Sequence, residues 1–416
     1  MDEKIENKIE EREEYYPNGN IRRKIRLLSG KFHDENILYH PNGKKASIVT
    51  FCNGKLFGEA REYSEAGVLL KKFFYENDLL NGPGEIFYSD GKIRELVFFK
   101  DGKPFGKNIQ YFPNGKIEQE SVMKDGVPNG VYREYYLTGK LKVKCIYKNG
   151  KINGNKFEYY SNEIMKIRAA YRDGILNGRA NIYFPSGGME KSIMYKEGKI
   201  NGRCILYSEN NKLINVSIYA DNKLNGKSIL YDKNGRREVM MNYINNEMTG
   251  ECRFFYATGE IKERAILTNG KRDGGEIKYY KNGVVKEYSM YKNGIFHGVN
   301  MRYRSNGFLS DISTYRNGMK LGYKIKFDSS GNISKKYKII GDEKTLFSDR
   351  IPDQILLDIF IFIAEKTIYE RKTFRKCYAQ TGITTNFLRL LKRTDTEKYR
   401  RDISRYALET MREFGF

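Results

Sequence analysis

The chain has 416 residues, 39% hydrophobic and 31% charged, with 75 Lys/Arg against 52 Asp/Glu and a formal charge of +23. Such a balance favours anionic partners, while five scattered cysteines, Cys52, Cys145, Cys204, Cys252 and Cys377, argue against a disulfide framework and against structural zinc. The longest apolar run, Ile359 to Ala364, is too short to span a bilayer, and the charged segment from Met1 to Glu14 does not read as a signal peptide, so a soluble cytoplasmic protein in a reducing compartment is expected.

Residues 1–14 read as a strand fragment or loose end. From Tyr15 to Ile340 the chain repeats every 24 residues without a slip of register. A first glycine series runs from Gly19 through Gly139 to Gly331, interrupted only by Glu163 and Asn211. A second runs from Gly30 through Gly150 to Gly318, with Asp78, Asn222 and Asn246 as its substitutes, and a third from Asp34 through Gly58 to Gly322. Asn and Asp are the residues that best tolerate the left-handed backbone after glycine, so these turn positions are expected at positive φ. Glu163 breaks that rule, and its turn is expected to be strained or remodelled.

Between the turns lie alternating apolar and polar runs of about eight residues, the pattern of β-hairpins. An aromatic stands four residues before each first-series glycine, as at Tyr135, Tyr159 and Tyr183, and eight after it stands a second, mostly aromatic series containing Tyr147, Tyr171 and Tyr195. Strict period-two alternation would set both series, with Leu141 and its equivalents, on one face. The expected fold is therefore mainly β: an elongated single-layer antiparallel meander of about fourteen hairpin repeats, about 27 or 28 strands, curled so that its aromatic face is concave. Its +23 total less +4 for residues 347–416 leaves +19 on the sheet.

Residues 341–348 read as a linker, and 349–416 as a small C-terminal α-helical segment. Pro352 suits a first helical turn, and Ile355, Leu356, Ile359 and Phe360 fall on one stripe. That segment is expected either to cap the last hairpin or to dock a partner.

The three histidines, His33, His40 and His297, sit at variable turn positions, and the glycines of the repeats are read as turn glycines, so no phosphate loop is expected. No catalytic residue, metal site or cofactor is expected, and the protein reads as a non-enzyme.

The units resemble the MORN-repeat variant family, as found in the YwqK-like antitoxin group, in their Tyr159-Tyr160, Tyr171-Arg172-Asp173-Gly174 and Leu176-Asn177-Gly178 elements, over residues 15–340. The resemblance implies a binding scaffold, and the antitoxin label implies that some relatives are paired with toxins. In the tail, Ile351 to Phe360, continued by Phe374-Arg375-Lys376-Cys377 and Phe387-Leu388-Arg389-Leu390-Leu391, resembles the F-box, whose opening segment helps dock a Skp-type adaptor of a ubiquitin ligase. Pro352, Ile355, Leu356, Ile359 and Phe360 would make that contact. The expectation is a repeat scaffold that binds a protein partner through Tyr135, Tyr147, Tyr159, Tyr171, Tyr183 and Tyr195, with a Skp-type adaptor on the tail. A toxin-neutralising protein and a basic binder of anionic membrane or nucleic acid are the alternatives.

Overall fold

The computed structural model describes residues 9–340 and 343–346. They are mainly β, with no helix, and their 35 strands belong to one antiparallel sheet. Each full strand pairs with the strand or strand pieces before and after it in the chain, while the two-residue pieces and the first and last described strands have one partner each. Leu141–Lys148, for example, pairs with Gly130–Tyr135 on one side and with Lys151–Ile152 and Gly154–Tyr159 on the other. The count exceeds the number of repeat strands because in six places a bulge divides one long strand into a two-residue and a six-residue piece, as at Asn153. Chain contacts group the described residues into two compact units: one up to Ile200 together with Glu209–Asn211, the other Asn201–Ser208 together with Lys212 to Leu346.

The turns explain the glycines. Asn149 and Gly150 both have positive φ, 50° and 77°, which makes the two-residue hairpin turn whose twist matches that of its strands. The substitutes Asp78, Asn222 and Asn246 take φ of 67°, 68° and 75°, as expected. At the opposite edge Tyr136 N donates to Lys140 O and Gly139 N to Tyr136 O, closing a wider turn. Glu163 is held at φ 69° and its N–H donates to Tyr160 O at 2.9 Å, as the glycines do. Its turn is strained, as expected, but not remodelled.

The same wide turn overturns the expectation that both aromatic series share a face. Tyr135 pairs with Leu141 while Glu134 pairs with Val143, so Lys142 is extra. One additional residue inverts the alternation. Leu141 therefore lies beside Tyr135, whereas Val143, Cys145 and Tyr147 face the other way. The Tyr135 face carries the first series and the Cys145 face the second.

The second unit makes the division plain. Its core cluster comprises Ile277, Tyr279, Val285, Tyr288, Val299, Met301, Tyr303, Leu309, Ile312 and Ile325, every one of them on the Tyr135 face by the 24-residue step. Tyr288, Met301 and Ile325 are fully buried there. In this unit the Cys145 face holds instead a line of buried small polar groups, among them Ser217, Ser228, Ser289 and Asn300.

The ends differ from expectation in one respect. Ile9–Tyr15 is a strand paired with Ile21–Leu28, in keeping with a strand fragment. Glu343–Leu346, expected as part of a linker, is a further strand paired with Ile333–Ile340, which extends the ladder by one. The helical segment and the F-box-like residues Pro352, Ile355, Leu356, Ile359 and Phe360 lie outside the described residues.

Candidate binding face

In the first unit the floor of the Cys145 face alternates small with larger side chains. Ala60 pairs with Phe73, Gly84 with Val97, Ser121 with Asn108, Cys145 with Tyr132, Ala169 with Lys156 and Ala180 with Ile193. Beside this floor runs the second aromatic series, with Phe51, Tyr75, Phe99, Tyr147, Tyr171 and Tyr195. The third glycine series stands opposite it in register: Gly58 faces Tyr75, Gly82 faces Phe99, Gly130 faces Tyr147, Gly154 faces Tyr171 and Gly178 faces Tyr195. Glycine is called for there by the backbone, which takes φ of 89–137° at these five positions. Between Leu38 and Tyr75 the floor opens into a cavity of 410 Å³, lined by Val49, Ala60, Phe73 and Tyr75 and rimmed by the ion pair of Lys71 with Glu62, 2.8 Å.

The rings are braced from within the sheet. Tyr132 and Tyr147 meet edge to face at 5.6 Å, and Tyr132 donates to Gln119 Oε1 at 3.1 Å. Burial pushes the Tyr132 hydroxyl up to about 12 and raises the Tyr147 hydroxyl and the Cys145 thiol as well. These groups stay neutral across the physiological range, so the surface they offer is apolar with hydroxyl donors.

Of the six tyrosines singled out in the sequence, Tyr147, Tyr171 and Tyr195 share this face. Tyr135, Tyr159 and Tyr183 are on the opposite one, where Tyr135 donates to Glu120 Oε1 at 2.9 Å. Burial works to raise Glu120, but hydrogen bonds from Arg133, Tyr135 and Lys107 together outweigh it and hold the carboxyl below its ordinary value. Tyr183 accepts from Asn181 at 3.4 Å on the same side.

A residue series that pattern reading passed over joins the repeats along the wide-turn edge. Tyr16, Tyr88, Tyr136, Tyr160, Tyr256 and Tyr280 each donate to the backbone carbonyl 23 residues on, at 2.6–2.8 Å. His40 Nε2 makes the same bond to Tyr63 O at 3.0 Å, and Arg304 replaces the tyrosine toward Phe327 O at 2.9 Å. The doublets Tyr135-Tyr136, Tyr159-Tyr160 and Tyr279-Tyr280 were the available signal. Among the described residues, no group of three or more His, Cys, Asp or Glu is placed to hold a metal ion. No helix among them is long and apolar enough to cross a membrane.

No curated protein matches the chain. Among solved structures, a TcdB2-TccC3-TEV crystal structure is 10% identical, with 83% of this chain and 21% of that one covered and a TM-score of 0.15. A TcdB2-TccC3 crystal structure is 9% identical, with 81% and 26% covered and a TM-score of 0.16. This chain thus spans about a quarter of the length of those structures or less, and at such scores nothing of theirs is carried over. The model of the MORN repeat variant family matches residues 11–26, 80–101, 106–125, 128–149 and 272–293. Repeats of that variant are thus present at five places in the sheet, three of them consecutive between residues 80 and 149.

Proposed function

We propose that the protein is a non-enzymatic repeat scaffold that binds an extended segment of a protein partner on the Cys145 face. MORN repeats suggest a scaffold for protein or membrane binding. The observation that favours protein is the row of neutral Tyr and Phe rings beside a floor of alternating small and larger side chains, because rigid amphipathic rings next to shallow recesses suit peptide recognition. The F-box resemblance supports a narrower version, in which the tail recruits a Skp-type adaptor and the sheet selects the target. Toxin neutralisation rests on the repeat resemblance alone, and binding of an anionic membrane or nucleic acid on the net charge.

The test is affinity capture with mass spectrometry from native lysate, comparing the wild-type chain, a Tyr147→Ser/Tyr171→Ser variant, a Tyr135→Ser/Tyr159→Ser variant and a chain ending at residue 346. A partner lost with the first variant and kept with the second supports the reading, and loss of a Skp-type protein only on truncation supports the adaptor version. Recovery of one partner set by both tyrosine variants sinks it.

A further inference from the structure

The last strands of the second unit gather cations on the Cys145 face. Ser313 stands opposite Lys324, and Tyr315 opposite Lys320, whose Nζ lies 5.7 Å from the centre of the Tyr315 ring. Arg302 stands opposite Asp311 one strand earlier. No ion pair joins Lys320 or Lys324 to a carboxylate among the described residues. Arg302 is instead engaged by Glu287 at 3.1 Å.

Ser313 sets this place apart from its equivalents. Ser217 and Ser228 hydrogen-bond each other at 2.8 Å, and Ser289 accepts from Asn300 at 2.8 Å. Ser313 is 1% exposed, and its Oγ has no hydrogen-bond partner. Asn300, its neighbour across the ladder, directs its amide nitrogen to Ser289 and Glu287, and Lys324 on the other side has only protons to offer. A buried hydroxyl is left with no hydrogen-bond partner, opposite Lys324 and on the same face as Lys320. Burial lowers the Lys320 pKa, and the charges of Lys324 and Arg302 add to the effect against Asp311. Each of these costs is relieved by one ligand chemistry, a compact multiply charged oxyanion, which cancels the repulsion and accepts from both ammonium groups and the hydroxyl.

We propose that Lys320, Lys324 and Ser313 form a binding site for a phosphate-type oxyanion, with Tyr315 as its apolar wall. The lysines close on the anion, and the serine at the floor orients it.

The full chain would be titrated with inorganic phosphate, followed by ³¹P line broadening, and separately with phosphatidylcholine vesicles containing phosphatidic acid. Binding in the first arm identifies a free anion and binding in the second alone a lipid headgroup. In either case Lys320→Ala/Lys324→Ala should weaken it by about tenfold or more, and Ser313→Ala by about threefold. Lys320→Arg/Lys324→Arg should retain it. Lys148→Ala/Lys151→Ala, which removes the same charge in the other unit, should leave it unchanged. No binding in either arm, or equal weakening by the two alanine pairs, overturns the site and leaves solvated lysines only. Unchanged circular dichroism and melting of each variant separate loss of the site from loss of the fold.

Discussion

The hydroxyl of Tyr136 donates a 2.7 Å hydrogen bond to the carbonyl oxygen of Tyr159, one repeat further on. The acceptor belongs to the aromatic series before the turn, so every such bond ties the edge of one repeat to the next. Tyr136→Phe keeps the ring and removes only the bond. It should cost about 1 kcal/mol, read as faster amide exchange confined to the two turns it joins, since a repeat array opens locally rather than all at once. Unchanged exchange there would mean that the ring and not the hydroxyl does the joining. His40→Tyr should preserve the equivalent link to Tyr63.

Gly130 and Gly154 are equivalent in sequence but not in space. A Cβ on Gly130, at φ 137°, would come within 2.9 Å of the Val122 Cβ, whereas one on Gly154, at φ 101°, meets nothing within 4 Å. Gly130→Ala should therefore cost roughly 2–3 kcal/mol and Gly154→Ala only the backbone strain, about 1–2 kcal/mol. Urea denaturation of the two variants compares them directly, and equal losses would show that contact with Val122 plays no part.

Glu163 sits at a left-handed position that glycine fills in most other units, with its carboxylate 3.2 Å from Lys140 Nζ. Both partners of that ion pair are largely exposed, so it offsets little of the strain. Glu163→Gly should raise stability by about 0.5–1 kcal/mol, visible as a higher melting temperature. A decrease would assign the ion pair more weight than its exposure allows.

Glu120 gives the fold a defined sensitivity to acid. The folded state holds its carboxyl below the ordinary carboxylate value, so its contribution is fully present above that ordinary value. The contribution is lost as pH falls through the lower, folded value, because the unfolded chain then binds the proton more readily. Tyr135→Phe removes one of the donors, so it should shrink this loss. Glu120→Gln should flatten the stability curve on the acid side while leaving the shape above neutral pH unchanged. A wild-type curve already flat on the acid side would contradict the assignment.

The glycine, Asn and Asp series made the turns readable, because positive φ restricts residue choice strongly and locally. The hairpin meander followed from them. What alternation alone could not reveal was the extra residue at Lys142, since a bulge leaves spacing in the chain untouched and changes only which side follows. Tyr135, Tyr159 and Tyr183 were thereby grouped with Tyr147, Tyr171 and Tyr195, although the sheet lies between the two sets. Tyr136 was passed over for a related reason: its role depends on a carbonyl 23 residues away, and an acceptor that every residue possesses leaves no trace in sequence. The strand Glu343–Leu346 was missed because its composition is that of a linker, and it exists by pairing with the open side of Ile333–Ile340.

The tyrosine-to-carbonyl bond also fixes the smallest piece by which the chain could lengthen or shorten. Removing one whole period brings each donor to an equivalent carbonyl and keeps both faces as they were. Removing half a period would join a narrow turn to a wide one and exchange the two sides of every strand beyond the cut. Each whole period adds two strands, about 9.6 Å of ladder, so the array is a ruler graduated in pairs of strands, and any separation between sites along one unit can change only in those steps.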